Sequence, residues 1–378
     1  MNKKPSSVVV ALSGGVDSAL GAALLKEAGW EVSGLHFLLP ASPHRTEEKI
    51  LRVRQIAARL RIPLKIQDLR TPFTQKVIAP FIGAYLEGRT PNPCVVCNPA
   101  LKFEYLLRHA REKGIGYIAT GHYARIKRSG ERFHELWRGK DRRKEQSYFL
   151  HRLRPEQLSR ILFPLQDLSK TETKDLALRR ELPASSDPES QEICFIPGND
   201  YRTFLESSVE GPVSKRGDIV NLQGEKVGEH RGTYRYTIGQ RHGLGIASAR
   251  PYYVQALSPA KNTVTVGRKE DLFASRVVAE DFHWMAETPP AGDTKVLAQI
   301  RYRHQAAPGR LTVLSEARVL LEFEEPQWAI TPGQALVCYD GERVLGGGWI
   351  CRQDPFCLSV DGGRPIGDMC SIRSLRKQ

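Results

Sequence analysis

The stretch VVVALSGGVDS, residues 8–18, limits the fold of this chain more than any other. Five apolar residues run directly into a glycine pair, and the residues after it, DSALGAALLKE, place apolar side chains at helical spacing. A strand that turns through Gly14 and Gly15 into a helix aims successive backbone N–H groups, and the positive end of the helix, at one point. Such a point suits a phosphate. The alternation then continues. EVSGLHFLL reads as a strand, and a helix capped at Thr46 carries Ile50, Val53, Ile56, Ala57 and Leu60 on one face. LKIQDL at 64–69 reads as a strand, 73–86 and 99–113 as helices, and YIATGHYA as a further strand. Alternation of this kind predicts an α/β doubly wound parallel sheet, with ligands at the carboxyl ends of its strands. It persists to about residue 204, where SKTE supplies a capping box, Ser169 with Glu172, that opens a helix reaching Glu181.

Beyond that point the pattern changes. Residues 211–245 are rich in Gly, Tyr, Thr and Arg without long helical periods, and from about Ala274 short alternating strands follow: LAQIRYRH, RVLLEFEE, ALVCY and RVLGGGWI. Asp340-Gly341 marks a hairpin between the last two. The expected division is a domain over 1–204, a small central domain over 205–272, and a C-terminal β-barrel with a tail over 273–378. At 378 residues the chain exceeds what one core usually serves. No apolar run approaches the roughly 18 residues of a membrane span, so the expectation is a cytoplasmic protein with no membrane partner.

SGGVDS lacks the lysine that follows the glycines of a G-x-x-x-x-G-K-[ST] loop. A loop of this kind suits ATP cleaved at the α-phosphate, with pyrophosphate gripped as the leaving group and Asp17 placed to hold Mg²⁺. It resembles the PP-loop of the ATP pyrophosphatase superfamily, whose members activate a substrate oxygen as its adenylate. What displaces AMP is suggested by TPNPCVVCNPALKF, residues 90–103, where two cysteines at C-x-x-C spacing sit between prolines in an expected loop. Cys194, in ESQEICFIPG, has a similar context. Seven cysteines, an odd number, argue against a disulfide framework and for thiols used in chemistry or metal binding. The charge has a direction too. The formal net charge is +14, and residues 125–154 hold eleven Lys/Arg against four Asp/Glu, interleaved with Phe133, Trp137, Tyr148 and Phe149. Such a run is either a solvated surface or the footprint of a polyanion.

Taken together and in order, SGGVDS, PNPCVVCN with KF after it, ATGHYAR, QSYFL, SQEICFI, RGTYRYTIGQRHGLGI and GGGWI resemble the tRNA-specific 2-thiouridylase family, from about residue 8 to about residue 350. The resemblance implies ATP-dependent replacement of the 2-carbonyl oxygen of the wobble uridine of tRNA by sulfur. The sulfur would come from a donor protein or inorganic sulfide. It implies a nucleotide site of Ala11, Leu12, Ser13, Gly14, Gly15, Val16, Asp17 and Ser18, with Phe37 near the adenine and Gly121 completing the pocket. It also implies tRNA contacts at Asn92, Pro93 and Cys94 around the target base, and at His122, Lys144, Glu145, Gln146, Arg301, Tyr302 and Gln334. Cys97 and Cys194 match the two family thiols: Cys194 as a persulfide carrier whose terminal sulfur attacks the activated carbon, and Cys97 as the partner that releases the sulfur or closes a disulfide.

One departure from the better-known members stands out. They carry an aspartate where this chain has Cys94. Members with cysteine there resemble tRNA-thiolating enzymes that hold an iron–sulfur cluster, so Cys94, Cys97 and Cys194 are also the expected ligands of a [4Fe-4S] cluster with one iron left open. A persulfide thiol pair, or zinc joined by a fourth ligand such as His122, are the alternatives. Cys351, Cys357 and Cys370 form a weaker candidate for a second metal site. Two other functional classes stay open at this point. A PP-loop amide-forming ligase, such as a lysidine synthetase, has no use for the cysteine loops, and a non-catalytic tRNA-binding metalloprotein would not consume ATP.

Overall fold

The structure is a computed structural model and describes residues 6–130, 133–183, 193–209, 215–285, 290 and 292–352. Seven strands come first: β1 (Ser7–Ala11), β2 (Glu31–Leu38), β3 (Leu64–Asp68), β4 (Tyr117–Ala119), β5 (Ala124–Ser129), β6 (Phe133–Arg138) and β7 (Ile161–Leu162). Five of them form a parallel sheet in the order β3-β2-β1-β4-β7. Val8, Val9 and Val10 of the central strand are fully buried, as a parallel sheet covered on both faces requires. Their side chains alternate between two cores. Val8 and Val10 join Ala19, Leu20, Val53 and Ile56 from the helices Val16–Glu27 and Pro43–Leu60, while Val9 joins Leu106 and Leu107 on the opposite face. The chain order reverses between β1 and β4, which opens a crevice at their carboxyl ends.

Several expected boundaries move. The second helix begins at Pro43 rather than near Thr46, because Pro43 is preorganised for the first helical position and the Ser42 hydroxyl accepts the Arg45 N–H at 3.5 Å. The C-x-x-C pair is not in a loop. It lies on the helical turn Pro93–Cys97, which widens into a π-helical segment, Asn98–Phe103, before the helix Glu104–Glu112. Pro99 has no N–H to donate, so the helix passes it with a wider turn. Between β4 and β7, the antiparallel hairpin β5–β6 leaves the parallel sheet altogether.

The central sheet pairs β8 (Gly217–Val220), β9 (Lys226–His230), β10 (Tyr253–Ser258) and β11 (Thr263–Gly267) in the order β10-β11-β8-β9. The barrel follows with β12 (Phe273–Trp284), β13 (Thr294–Gln299), β14 (Ala307–Ser315), β15 (Arg318–Trp328), β16 (Ala335–Asp340) and β17 (Arg343–Ile350). Pairing runs β12-β15-β14-β13-β16-β17 and closes from β17 back to β12, giving six strands without a free edge. The expected hairpin at Asp340-Gly341 is present, with Gly341 at φ 54°. β17 also pairs with β6 at Arg343 and Trp137, so the first domain lends a hairpin to the outside of the barrel. Among the described residues no helix is long and apolar enough to cross a membrane.

Candidate active site

β1 delivers the chain to the crevice and the Leu12 N–H extends its pairing to the Leu35 carbonyl at 2.9 Å. Gly14 then takes a left-handed φ of 89°, a conformation that favours glycine, and the helix starts at Val16 with no side chain capping its first N–H groups. The loop holds its own shape. Ser18 Oγ donates to the Gly15 carbonyl at 2.9 Å and accepts the Ser13 N–H at 3.2 Å, while the Gly15 N–H donates to Ser13 Oγ at 3.3 Å. Asp17 is already engaged. Its Oδ1 accepts the Tyr123 hydroxyl at 2.8 Å and the Lys170 ammonium at 2.6 Å, and its Oδ2 accepts Lys170 at 2.7 Å.

A cavity of about 290 Å³ opens from this loop. Of the expected nucleotide residues, Ala11, Leu12, Ser13, Asp17, Ser18, Phe37 and Gly121 line it, whereas Gly14, Gly15 and Val16 form the turn without lining it. Gly121 has a steric reason to be glycine: a Cβ there would sit 2.8 Å from the Asp17 carbonyl carbon and 2.9 Å from the Ser18 nitrogen. The end of β4 thus lies directly against the start of the helix. His36, beside Phe37, anchors β2 through Nδ1 to the Leu12 carbonyl at 2.6 Å, and burial lowers its pKa.

The same cavity reaches Lys102, His122 and Cys194. Cys94 opens to solvent, yet protein crowds it from the other sides and burial raises its pKa. Cys97, one helical turn on, is buried, and burial pushes its thiol up to about 12, against the pull of Lys102. Lys102 faces all three thiols. Burial opposes its charge, but its electrostatic interaction with the three cysteines, Cys97 foremost, outweighs that and holds its pKa above the ordinary value. His122 lies between Phe103, stacked at 5.7 Å, and Phe163, and its Nδ1 pairs with Thr120 Oγ1 at 2.7 Å. Burial, then the charge of Lys102, lowers it to about 3, so it is neutral at physiological pH. The described cysteines are free thiols, so the expected pairing of Cys97 with Cys194 is not formed. Among the described residues no three His, Cys, Asp or Glu gather to hold a metal ion, and Cys94, Cys97 and Cys194 therefore make no ligand set in this conformation. Cys338 is enclosed in the barrel and Cys351 is half-buried; Cys357 and Cys370 lie outside the described residues.

The residues expected to meet tRNA fall into two groups. Asn92 is the N-cap of the C-x-x-C turn and Pro93 its first residue, and Gln334 reaches them from the barrel by donating its Nε2 to the Thr90 carbonyl at 2.8 Å. Gln146 lines the cavity, and its Oε1 accepts the Tyr123 N–H at 3.0 Å. Lys144 is half-buried beside it. The Tyr302 and Phe149 rings meet at a tilt, with centroids 4.2 Å apart, and Arg301 donates to the Trp328 carbonyl at 3.0 Å. Glu145 differs from the expectation. Its carboxylate is buried, accepting the Ser147 N–H and lying 3.8 Å from Arg138, and burial raises its pKa. Its neighbours Lys144 and Gln146 are half-buried. Sequence reading gave no role to Lys102 and Tyr123, although they fall in the KF and ATGHYAR motifs, nor to Lys170, which no motif singles out as a site residue.

Three family models match in order: the tRNA methyl transferase HUP domain over residues 6–198, the tRNA methyl transferase PRC-barrel domain over 202–268 and the Aminomethyltransferase beta-barrel domain over 274–350. The chain is 46% identical to the tRNA-specific 2-thiouridylase MnmA of Syntrophotalea carbinolica over 354 residues, 93% of this chain and 100% of that protein. It is also 46% identical to the protein of the same description from Geobacter metallireducens, over 92% of this chain and 97% of that one. A solved 4-thiouridine synthetase–RNA complex with bound ATP aligns at 20% identity and TM-score 0.36, over 54% of this chain and 50% of that chain, a likeness too slight to support inference.

Proposed function

The chain belongs to the MnmA-type family of tRNA-specific 2-thiouridylases, sulfurtransferases that act on tRNA, and from that premise we propose that one cavity carries out both halves of its reaction. In the first half, the uridine 2-carbonyl oxygen attacks the α-phosphate of ATP held over Ser13–Ser18, and pyrophosphate leaves. In the second, a sulfur carried on Cys194 attacks C2, the C2–O bond breaks, and AMP departs. The observation that carries this reading is that the phosphate loop and Cys194 line the same 290 Å³ space, which Lys102 and neutral His122 also line. Lys102 opposes, by its charge, the rise that burial imposes on the thiols of Cys94 and Cys97. Cys97, one turn beyond Cys94, is the partner that resolves the persulfide as a disulfide. Sulfur arrives as the outer sulfur of a donor protein's persulfide, or as sulfide that opens the Cys97–Cys194 disulfide left by the preceding turnover, forming the Cys194 persulfide and freeing the Cys97 thiol; the basic segment 125–154 and the barrel grip the tRNA, and the cytoplasm is the setting. The domain limits 1–204, 205–272 and 273–378 suit this division of labour.

Cys94 favours a second reading, because a third thiol on the Cys97 turn suits a [4Fe-4S] cluster. Its three ligands do not converge in the conformation described, so no step is routed through it. One experiment separates the readings. Cys194→Ser should keep tRNA-dependent pyrophosphate release while losing thiolation, and Cys94→Asp should retain thiolation under the persulfide reading. Iron in anaerobically purified protein, lost together with thiolation in Cys94→Asp, would overturn that reading.

A further inference from the structure

The phosphate loop carries no lysine of its own, and we infer that Lys170, from a helix more than a hundred residues downstream, supplies the missing cation to the departing pyrophosphate. This rests on reading the cavity as the ATP site. Lys170 Nζ lies 2.6 and 2.7 Å from the two carboxylate oxygens of Asp17, in the first turn of the phosphate-loop helix. Its side chain is 11% exposed.

Its position breaks a local rule. Lys170 is the first residue of the helix Lys170–Arg179, where the unsatisfied N–H groups repel a cation and favour an acid. The surrounding residues nevertheless fix it there. Ser169 and Glu172 form the capping box, and Asp141 Oδ2 accepts the Lys170 N–H at 2.8 Å. A residue that violates local preference while its neighbours hold it in place marks a functional position.

In the protein without nucleotide, Asp17 and Lys170 neutralise one another. A triphosphate arriving with a divalent cation offers each a better partner: the cation for the carboxylate, the β- and γ-phosphate oxygens for the ammonium. During adenylation the uridine oxygen bonds to the α-phosphorus as the bond from that phosphorus to the bridging oxygen breaks. The electron pair leaves on pyrophosphate, whose added charge is met by Lys170 and the cation, and no proton has to move. Lys170 is in this sense a catalytic residue that touches the leaving group.

The test separates pyrophosphate from AMP, because only the former would reach Lys170. Calorimetry on the full chain with Mg²⁺ should give Lys170→Met an affinity for inorganic pyrophosphate weaker by roughly tenfold or more, with AMP affinity unchanged. Pyrophosphate release on bound tRNA should fall by roughly 100-fold. An unchanged pyrophosphate affinity overturns the proposal. If the methionine variant also loses AMP, Lys170→Arg, which keeps the charge and the pair with Asp17, carries the test: it should bind both AMP and pyrophosphate within a few-fold of wild type, and a variant that regains AMP but binds pyrophosphate as weakly as the methionine protein overturns it. A wild-type protein that failed to bind AMP would remove the ATP reading underneath, and the proposal with it.

Discussion

Replacing Gly121 with alanine adds one methyl group at the point where β4 meets the phosphate-loop helix. That methyl would fall 2.8 Å from the Asp17 carbonyl carbon, 2.9 Å from the Ser18 nitrogen and 3.0 Å from the Asp17 oxygen. All three are backbone atoms of a helix start, so no side chain can swing aside. Overpacking of this kind costs about 1–3 kcal/mol. The strain has two outlets. If the site holds its shape, the cost appears as stability, about 2–4 °C of melting temperature per kcal/mol for a domain of this size. If the helix start yields, the phosphate loop shifts and the same energy appears as ATP affinity lowered by roughly 5- to 150-fold. Thermal unfolding and an ATP titration of the same preparation read both outlets. Gly83→Ala is the control: nothing lies within 4 Å of its added methyl, and within a helix it should be neutral or mildly stabilising. A Gly121→Ala protein with wild-type melting temperature and wild-type ATP affinity would refute the contact between strand end and helix start.

His151 should make the fold sensitive to acid: it is fully buried, and burial holds it at about 3, below its ordinary 6.5. The unfolded chain then binds the extra proton first, so this contribution is intact above about pH 6.5 and drains away as pH falls towards 3, with about 2 kcal/mol gone between pH 8 and pH 5. Denaturant melts across that range should show the slope, and in His151→Gln it should shrink by that amount; an unaltered slope would count against the burial argument. For RNA, exposed Arg143 on the basic segment should neutralise one phosphate, so Arg143→Ala should flatten the log–log dependence of tRNA affinity on salt by roughly 0.7–0.9. A salt slope identical to wild type would take that residue out of the interface.

What the sequence made legible was local. The glycine pair, the strand and helix alternation, the capping box at Ser169 and the Asp340-Gly341 hairpin each declare themselves within a few residues, and the structure has each of them. The C-x-x-C helix was also locally encoded, since Pro93 directly after Asn92 is a first-position proline, but the surrounding prolines read as a loop. Glu145 is a different case: charge in a basic run signals surface, and although Arg138 and the Ser147 N–H are sequence neighbours, only the fold buries the carboxylate that meets them. Lys102 and Lys170 were illegible for the same reason. One faces thiols that lie partly on a distant loop, and the other meets a carboxylate 153 positions earlier.

The union of β6 with β17 has a bearing on how the chain comes to be folded. Glu135 and Arg343, whose side chains meet across that seam at 2.9 Å, are 208 residues apart. During synthesis the hairpin therefore emerges with one edge unpaired and keeps it so until the last barrel strand leaves the ribosome, because β17 both closes the barrel and covers β6. Contacts of such long range form late, after the entropy of closing a very large loop has been overcome. The charged residues on β6, Glu135 and Arg138, then serve a second purpose: charge on an open edge discourages a nascent chain from pairing with its neighbour before its own partner strand exists.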